Sequence, residues 1–396
     1  MKILSYLNVS NISNLEADSG YIFQKLLFQA VLKIRPDTEI YFICPKKTPH
    51  IDDRVIMLPI EDNYFNKYSV RFNFPWNKFM EKASILEDVD FAIINQPELT
   101  SNFRALFSVI GNNKVKVVSY LHYIPIEKSP SKSKINYTES MDHGGIVSAI
   151  FSRQLEAVSI SDYYITCSKF AIKFIKLNAL LVNESIGKQI SSKIKIIPPP
   201  ISLNEIEEQR TERQFSKKTF MYNHRLYSHY GTELIFEWLS ELYSKRQDFE
   251  VLVTNPTGDR SHERNKLDKS VNHFRDWLED MSFIKIKNIK NRNEYYKTLW
   301  KCYAGIAPLK PSALWSMSVV DLLACGKPVF APNYACFPEM LNNHESLIFE
   351  DKNDFFRKIN DLLDDESKYN AVSVDCRRLA EKYTDTRVAE QFINLF

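Results

Sequence analysis

Apolar positions along the chain fall into two alternating patterns: short β-branched or aromatic runs, and longer stretches with a helical period. A strand buried on both faces reads as a short continuous apolar run, whereas a helix on a core repeats its apolar residues every three or four positions. In the first half the predicted strands are Lys2–Leu7, Glu39–Cys44, Val55–Leu58, Phe91–Asn95, Val115–Leu121, Tyr163–Cys167 and Lys193–Ile197. Gly20–Ile34 sets Ile22, Phe23, Leu26, Leu27, Ala30 and Val31 near one helical face, and Gly145–Ser159 reads as another helix. Pro198, Pro199 and Pro200 then exclude both helix and central strand, because proline has no amide to donate. Residues 201–218, charged and apolar-poor from Leu203 to Lys218, are the expected linker.

The second half restarts with strands at Thr219–Tyr222, Glu250–Thr254, Phe283–Ile286, Ala304–Pro308, Pro328–Ala331 and Ser346–Phe349. Helices are predicted at Thr232–Lys245, Arg264–Met281, Asn293–Lys301, Ser318–Cys325 and from Asp354 onward. Strand and helix alternating in this way build parallel α/β sheets. The expected architecture is one such domain over residues 1–200, a second over 219–380, and a final helix over 381–396 returning to the first. Doubly wound sheets bind ligands outside the carboxyl ends of their strands, so the chemistry is expected there.

Composition narrows the classes. A chain of 396 residues fits two domains, and a net charge of +3 permits an anionic ligand without demanding nucleic acid. The cysteines Cys44, Cys167, Cys302, Cys325, Cys336 and Cys376 are scattered with no C-x-x-C pair, the pattern of reduced core thiols rather than of a zinc site or disulfide framework. The opening MKILSYLNVSN is too short an apolar run for a signal peptide, and no stretch approaches the roughly 18 apolar residues of a membrane span, so a cytoplasmic location is expected. With 9 glycines in the chain, any phosphate-binding loop is not of the glycine-rich kind.

The most informative stretch is Leu309–Leu341, LKPSALWSMSVVDLLACGKPVFAPNYACFPEML. It reads as a strand end, a loop, a helix opening near Ser316, a glycine stop at Gly326 and a further strand. A helix start offers unpaired amides and the positive end of the dipole, with Ser316 or Ser318 as cap, which makes an anion site. Asp321 lies about one turn further in, within reach of the same ligand's hydroxyls. A second stretch, Phe220–Gly231 (FMYNHRLYSHYG), follows a strand and precedes a helix, and carries Arg225. A guanidinium suits a diphosphate because its fork donates paired, charge-assisted hydrogen bonds.

These stretches resemble the nucleotide-sugar signatures of retaining glycosyltransferases of the GT-B fold, family-four type. The first resembles E-P-F-G-x-x-x-x-E-A-x-A-C-G-x-P-V with a later P-E: Cys325, Gly326, Lys327, Pro328 and Val329 match, as do Pro338 and Glu339. The resemblance implies that Asp321 stands for the glutamate holding the ribose hydroxyls, and Met317 and Ser318 for residues whose amides hold the diphosphate. The glutamate that touches the donor sugar falls on Ala313. Either a neighbour supplies that contact, the sugar is unusual, or the pocket is degenerate. The second stretch resembles G-R-x-x-x-x-K-G, with Arg225 and Gly231 matching and Tyr230 at the lysine position; His229 and Lys310 are the candidate replacements. Its N-H-R triplet is similar to the loop of tRNA-queuosine mannosyltransferases. Glu294 and Tyr295 match the helix that precedes the donor loop.

In the first half, VKVVSYLHYIP places His122 at a strand end, which resembles the family histidine that leans on the donor sugar. Asp18 and Glu16, in NLEADSG, are candidate base or acceptor-contact residues. The polar segment Ile126–Gly145 contributes Lys128, Lys132, Lys134, Asp142 and His143, with Arg153 nearby, as candidate acceptor contacts able to follow a phosphate backbone. Lys285–Arg292, KIKNIKNR, is a second basic run. Asp88-Val89-Asp90 matches the D-x-D metal motif of a different glycosyltransferase fold, but it stands at a strand start, and the resemblance implies no required metal.

The resemblance therefore implies two Rossmann-like domains facing across a cleft, and transfer with retention from a UDP- or GDP-sugar, with no tightly bound cofactor. The sugar, hexose or pentose, the acceptor and the oligomeric state stay open. Three rival readings stand beside it: transfer to a modified base of DNA or tRNA, a non-catalytic sugar-nucleotide or nucleic-acid binder, and a GT-B sugar-nucleotide epimerase.

Overall fold

Fifteen described strands form two parallel sheets and one small hairpin in the computed structural model, which describes residues 1–396 except 10–14, 61–68, 129–134, 138–144, 183, 213–214, 255–269 and 290. The chain divides into a first unit, Met1–Pro200 with Asp385–Phe396, and a second, Ile201–Thr384.

The first unit holds β1 (Lys2–Tyr6), β2 (Glu39–Pro45), β3 (Val55–Ile60), β4 (Phe91–Ile94), β5 (Lys116–Leu121), β6 (Ile126–Lys128), β7 (Ile135–Tyr137), β8 (Tyr163–Thr166) and β9 (Ile194–Ile196). Seven of these pair in the order β3-β2-β1-β4-β5-β8-β9, all parallel, while β6 and β7 form an antiparallel pair within the segment expected as a loop. The second unit holds β10 (Lys218–Tyr222), β11 (Phe249–Thr254), β12 (Ile284–Lys287), β13 (Ala304–Ile306), β14 (Val329–Pro332) and β15 (Ile348–Phe349), in the order β12-β11-β10-β13-β14-β15, again all parallel.

Both orders reverse direction at the first strand of the unit, so each sheet has a topological switch point: between β1 and β4, and between β10 and β13. The strands are continuous apolar runs because helices cover both faces of each sheet. All six residues of β11 are buried, for example, and so are Ile40, Phe42 and Ile43 of β2.

The terminal helix Asp385–Ile393 belongs to the first unit. Val388, Ala389 and Phe392 are fully buried in the core that Leu26, Leu27 and Phe23 of the helix Ser19–Ile34 also fill, with the Phe23 and Phe392 rings 6.0 Å apart. Burying a phenylalanine of this kind contributes about 2–3 kcal/mol. The stretch expected as a linker begins inside the second unit. Ser202 caps the short helix Leu203–Glu207, Ile206 is fully buried, the Trp300 indole donates to the Ile206 carbonyl at 2.8 Å, and Glu207 pairs with Arg377 at 2.9 Å. Two buried isoleucines, Ile201 and Ile206, among charges leave no helical or strand period for a sequence reading to find.

Asp90 accepts from the Lys2 amide at 2.7 Å and Asp88 pairs with the Lys2 ammonium at 3.5 Å, which places both at the amino ends of β1 and β4, away from the carboxyl edge. Among the described residues, no helix is long and apolar enough to cross a membrane.

Candidate functional site

At the switch point of the second sheet, the loops that leave β10 and β13 meet. Gly231 closes the first loop with φ 67°, a left-handed conformation that glycine adopts without strain. A Cβ there would lie 2.5 Å from the Cβ of Leu309 in the second loop, so the glycine is also what lets the two backbones touch. Lys310 follows, and its ammonium sits 4.9 Å from the centre of the Tyr230 ring. Arg225 is half-buried and donates to the Tyr227 hydroxyl at 3.2 Å; the His229 ring stacks on Tyr227 at 5.2 Å. Among the described residues, neither Arg225 nor Lys310 is paired with a carboxylate.

The helix Met317–Ala324 opens onto the same loops. Ser316 is its cap, accepting from the Val319 amide at 3.4 Å. The amides of Met317 and Ser318 belong to the first turn and have no acceptor among the described residues. The helix is tied to the β10 loop directly: the Ser318 hydroxyl donates to the Asn223 carbonyl at 3.3 Å, and the Asn223 carboxamide donates to the Ser318 carbonyl at 3.4 Å and to the Tyr295 hydroxyl at 2.8 Å. Thus Arg225, His229, Tyr230, Gly231, Lys310, Ser316, Met317 and Ser318 gather on two adjoining loops and one helix start. Two cations, free amides and a helix dipole there favour an anion.

Two motif positions behave differently. Asp321 is 2 % exposed, with its Oδ1 3.6 Å from the Arg292 guanidinium. Burial raises its carboxyl above the ordinary range, while the charge of Arg292 and hydrogen bonding from Tyr295 act the other way. Arg292 also donates to the Tyr296 hydroxyl at 2.6 Å. Ala313 is packed into the core of the unit, its amide donating to the Lys310 carbonyl at 3.2 Å.

His224, between Asn223 and Arg225, is 8 % exposed, and burial lowers its imidazole to about 3, against a hydrogen bond to the Ile306 backbone at the end of β13. The ring is therefore neutral, buried beside the Tyr222 ring at 5.2 Å. The basic run KIKNIKNR is largely neutralised: Lys285 pairs with Glu250 at 2.5 Å, Lys287 with Glu294 at 2.9 Å, and Arg292 with Asp321.

In the first unit, Asp18 caps the helix Ser19–Ile34, accepting from the amides of Gly20 and Tyr21 at 2.8 and 3.1 Å. Glu16 is half-buried in the turn before it. His122, just past β5, is half-buried with its ring 6.1 Å from that of Tyr120. Behind it lies a group that sequence reasoning missed. Glu98 is fully buried and paired with buried Arg71; Gln154 donates to Glu98 at 3.0 Å and to the Tyr123 carbonyl at 3.0 Å; Arg71 lies 5.0 Å from the Tyr123 ring. Arg153 is 5.0 Å from the Phe72 ring. Lys128 falls in β6, and Lys132, Lys134, Asp142 and His143 lie outside the described residues.

No family model and no curated protein matches this chain in sequence. Solved structures do match it over its whole length. A glycosyltransferase from Rickettsia africae superposes with a TM-score of 0.65 at 16% identity, covering 100% of this chain and 97% of that one. The sucrose-phosphate synthase of Thermosynechococcus elongatus gives 0.69 at 12%, covering 100% and 98%. The fold is GT-B. HepE of Anabaena, in complex with UDP and glucose, gives a TM-score of 0.66 at 13% identity, with 100% and 98% covered.

Proposed function

We propose that this GT-B chain is a nucleotide-sugar-dependent glycosyltransferase whose donor diphosphate sits at the switch point of the second unit. One observation carries the reading. Arg225 and Lys310, without carboxylate partners among the described residues, share an edge with the unpaired amides of the Met317–Ala324 helix. The presence of UDP and glucose in HepE supports a UDP-sugar as the first donor to try.

In this reading the arginine and lysine take the charge that develops on the departing diphosphate, and the helix dipole adds a fixed contribution that needs no reorganisation during the reaction. Retention at the anomeric carbon is proposed with it, on the motif match from Cys325 to Val329 and at Arg225 and Gly231. Front-face attack is the expected route, since the motif supplies no covalent nucleophile. His122 is proposed to lean on the transferred sugar. Of the two basic segments that favoured a nucleic-acid acceptor, the one over Lys285–Arg292 is now spoken for by ion pairs, which favours a smaller acceptor.

The test is slow donor hydrolysis across UDP-, GDP- and ADP-sugars, pentoses included, by wild type and Arg225→Ala. Turnover of one donor, reduced about 100-fold in the variant, is expected from the loss of paired charge-assisted bonds. Absence of both turnover and nucleotide binding in the wild type would overturn the reading.

A further inference from the structure

The helix Lys169–Val182, which follows β8, has two unlike faces. Ala171, Ile175, Asn178 and Ala179 are buried and seat it on the first unit. A helix seated in this way ordinarily turns charged and polar residues to water on its other face. Here Leu177 and Leu180 stand on that face, 40 % and 42 % exposed, beside the half-buried rings of Phe170 and Phe174, whose centres are 5.8 Å apart. Exposed Lys173 lies among them at the same three- and four-residue spacing, and Lys169 and Lys176 border it in the adjoining row. The helix has no acidic residue. Residues 169–195, which include the next helix, Glu184–Lys193, contain six lysines and one carboxylate, Glu184, which Lys188 pairs at 2.6 Å.

We propose that this face docks the chain on an anionic lipid bilayer. The helix would lie in the interfacial plane, with Leu177, Leu180 and the two phenylalanines turned toward the acyl chains and Lys169, Lys173 and Lys176 meeting the headgroup phosphates. Lysine suits such a border, because its four-carbon stem runs along apolar surface while its ammonium reaches outward. A second copy of the chain would set like charge against like. A nucleic acid would use the lysines but leave the two leucines in water. The bilayer matches both the charge and the exposed apolar side chains. The contact is peripheral, since among the described residues no helix is long and apolar enough to span. It does not depend on the donor-site reading.

The full chain is sedimented with vesicles of phosphatidylcholine alone and of phosphatidylcholine mixed with phosphatidylglycerol. Binding to the mixed vesicles is expected, weaker by roughly tenfold or more on the neutral ones and falling with added salt. Lys173→Ala should weaken it about fivefold. Leu177→Ala combined with Leu180→Ala should weaken it about tenfold. Leu234→Ala, which trims a leucine 45 % exposed in the second unit, should change nothing. Urea midpoints show whether each variant folds, and Lys173→Ala remains informative where the leucine pair does not. Nucleotide affinity without vesicles should be the same in every chain, so this inference and the donor reading fail separately. Three results would overturn it: no sedimentation with either vesicle, equal binding to both, or leucine variants that bind as wild type does. Retention of a fluorescent RNA oligonucleotide that Lys173→Ala loses and the leucine variants keep would assign the face to nucleic acid instead.

Discussion

At the carboxyl edge of the first sheet a buried arginine meets a buried carboxylate, whereas at the same edge of the second two cations stand without one among the described residues. Both edges lie at switch points of the same strand order, so topology does not distinguish them. The side chains do. Arg71 and Glu98 close on each other and recruit Gln154, so their charges are matched within the protein. Arg225 and Lys310 meet only aromatic rings and a hydroxyl among the described residues, and the nearest helix start points its amides the same way. The same fold thus offers one edge whose polar groups serve stability and another left poised for an anion, the cost of local repulsion being recovered only when a ligand arrives.

The largest effect should come from breaking the satisfied edge. Glu98→Ala removes the buried carboxylate that pairs with Arg71, and loss of one partner from a buried pair costs about 3–5 kcal/mol. Urea unfolding followed by hydrogen exchange should show protection falling around β4 and β5, with Glu98→Gln milder because it keeps an acceptor for Gln154. Arg225→Ala, which disarms the other edge, should leave the urea midpoint unchanged while cutting donor turnover about 100-fold. Equal destabilisation by the two substitutions would erase the distinction between a structural edge and a binding edge.

A pH-dependent effect of intermediate size separates a ring buried beneath the second edge from the groups that would bind there. His224 is held neutral by burial, its imidazole lowered from 6.5 to about 3. The unfolded chain takes up a proton below the ordinary value and the folded chain does not. This contribution is therefore complete above pH 6.5 and is lost as the pH falls toward about 3, at about 1.4 kcal/mol per pH unit. His224→Gln stays polar and cannot titrate. Its stability should approach that of wild type by about 2 kcal/mol between pH 6.5 and pH 5, measured as urea unfolding free energies at each pH. A constant gap would mean that the ring protonates in place.

The two sheets were legible in the sequence because parallel strands buried on both faces leave uninterrupted apolar runs, and proline and glycine punctuate them at Pro198–Pro200 and Gly326. The helix start at Ser316 and the turn at Gly231 were legible for local reasons, a cap and a left-handed residue. The pairing of charges was not. Arg71 and Glu98 are 27 positions apart and Arg292 and Asp321 29, with no periodic relation between them, so only the folded chain reveals that KIKNIKNR ends in a buried ion pair rather than an open basic surface. Asp18 carried a signal that could have been read further: an aspartate immediately before a helix start is first of all a cap. The β6–β7 pair hid in a polar segment where no apolar alternation marks a strand.

The smallest effect concerns Lys310, and it decides whether the second edge carries one cation or two. The motif's lysine position holds Tyr230, whose ring lies 4.9 Å from the Lys310 ammonium, so the charge absent from one loop is supplied from the adjoining loop at nearly the same place. A half-buried, solvent-screened cation near a diphosphate contributes about 1 kcal/mol, which predicts about a fivefold weaker nucleoside diphosphate in Lys310→Ala and a shallower dependence of affinity on salt. Tyr230→Phe should change neither, because the ring and not the hydroxyl holds the ammonium. Adding Tyr230→Lys to Lys310→Ala should restore much of the loss, since it returns the charge to the motif position. Calorimetric titrations at low and high salt with the four chains would show this. If Lys310→Ala binds as wild type does, or Tyr230→Lys rescues nothing, Arg225 acts with the helix amides alone.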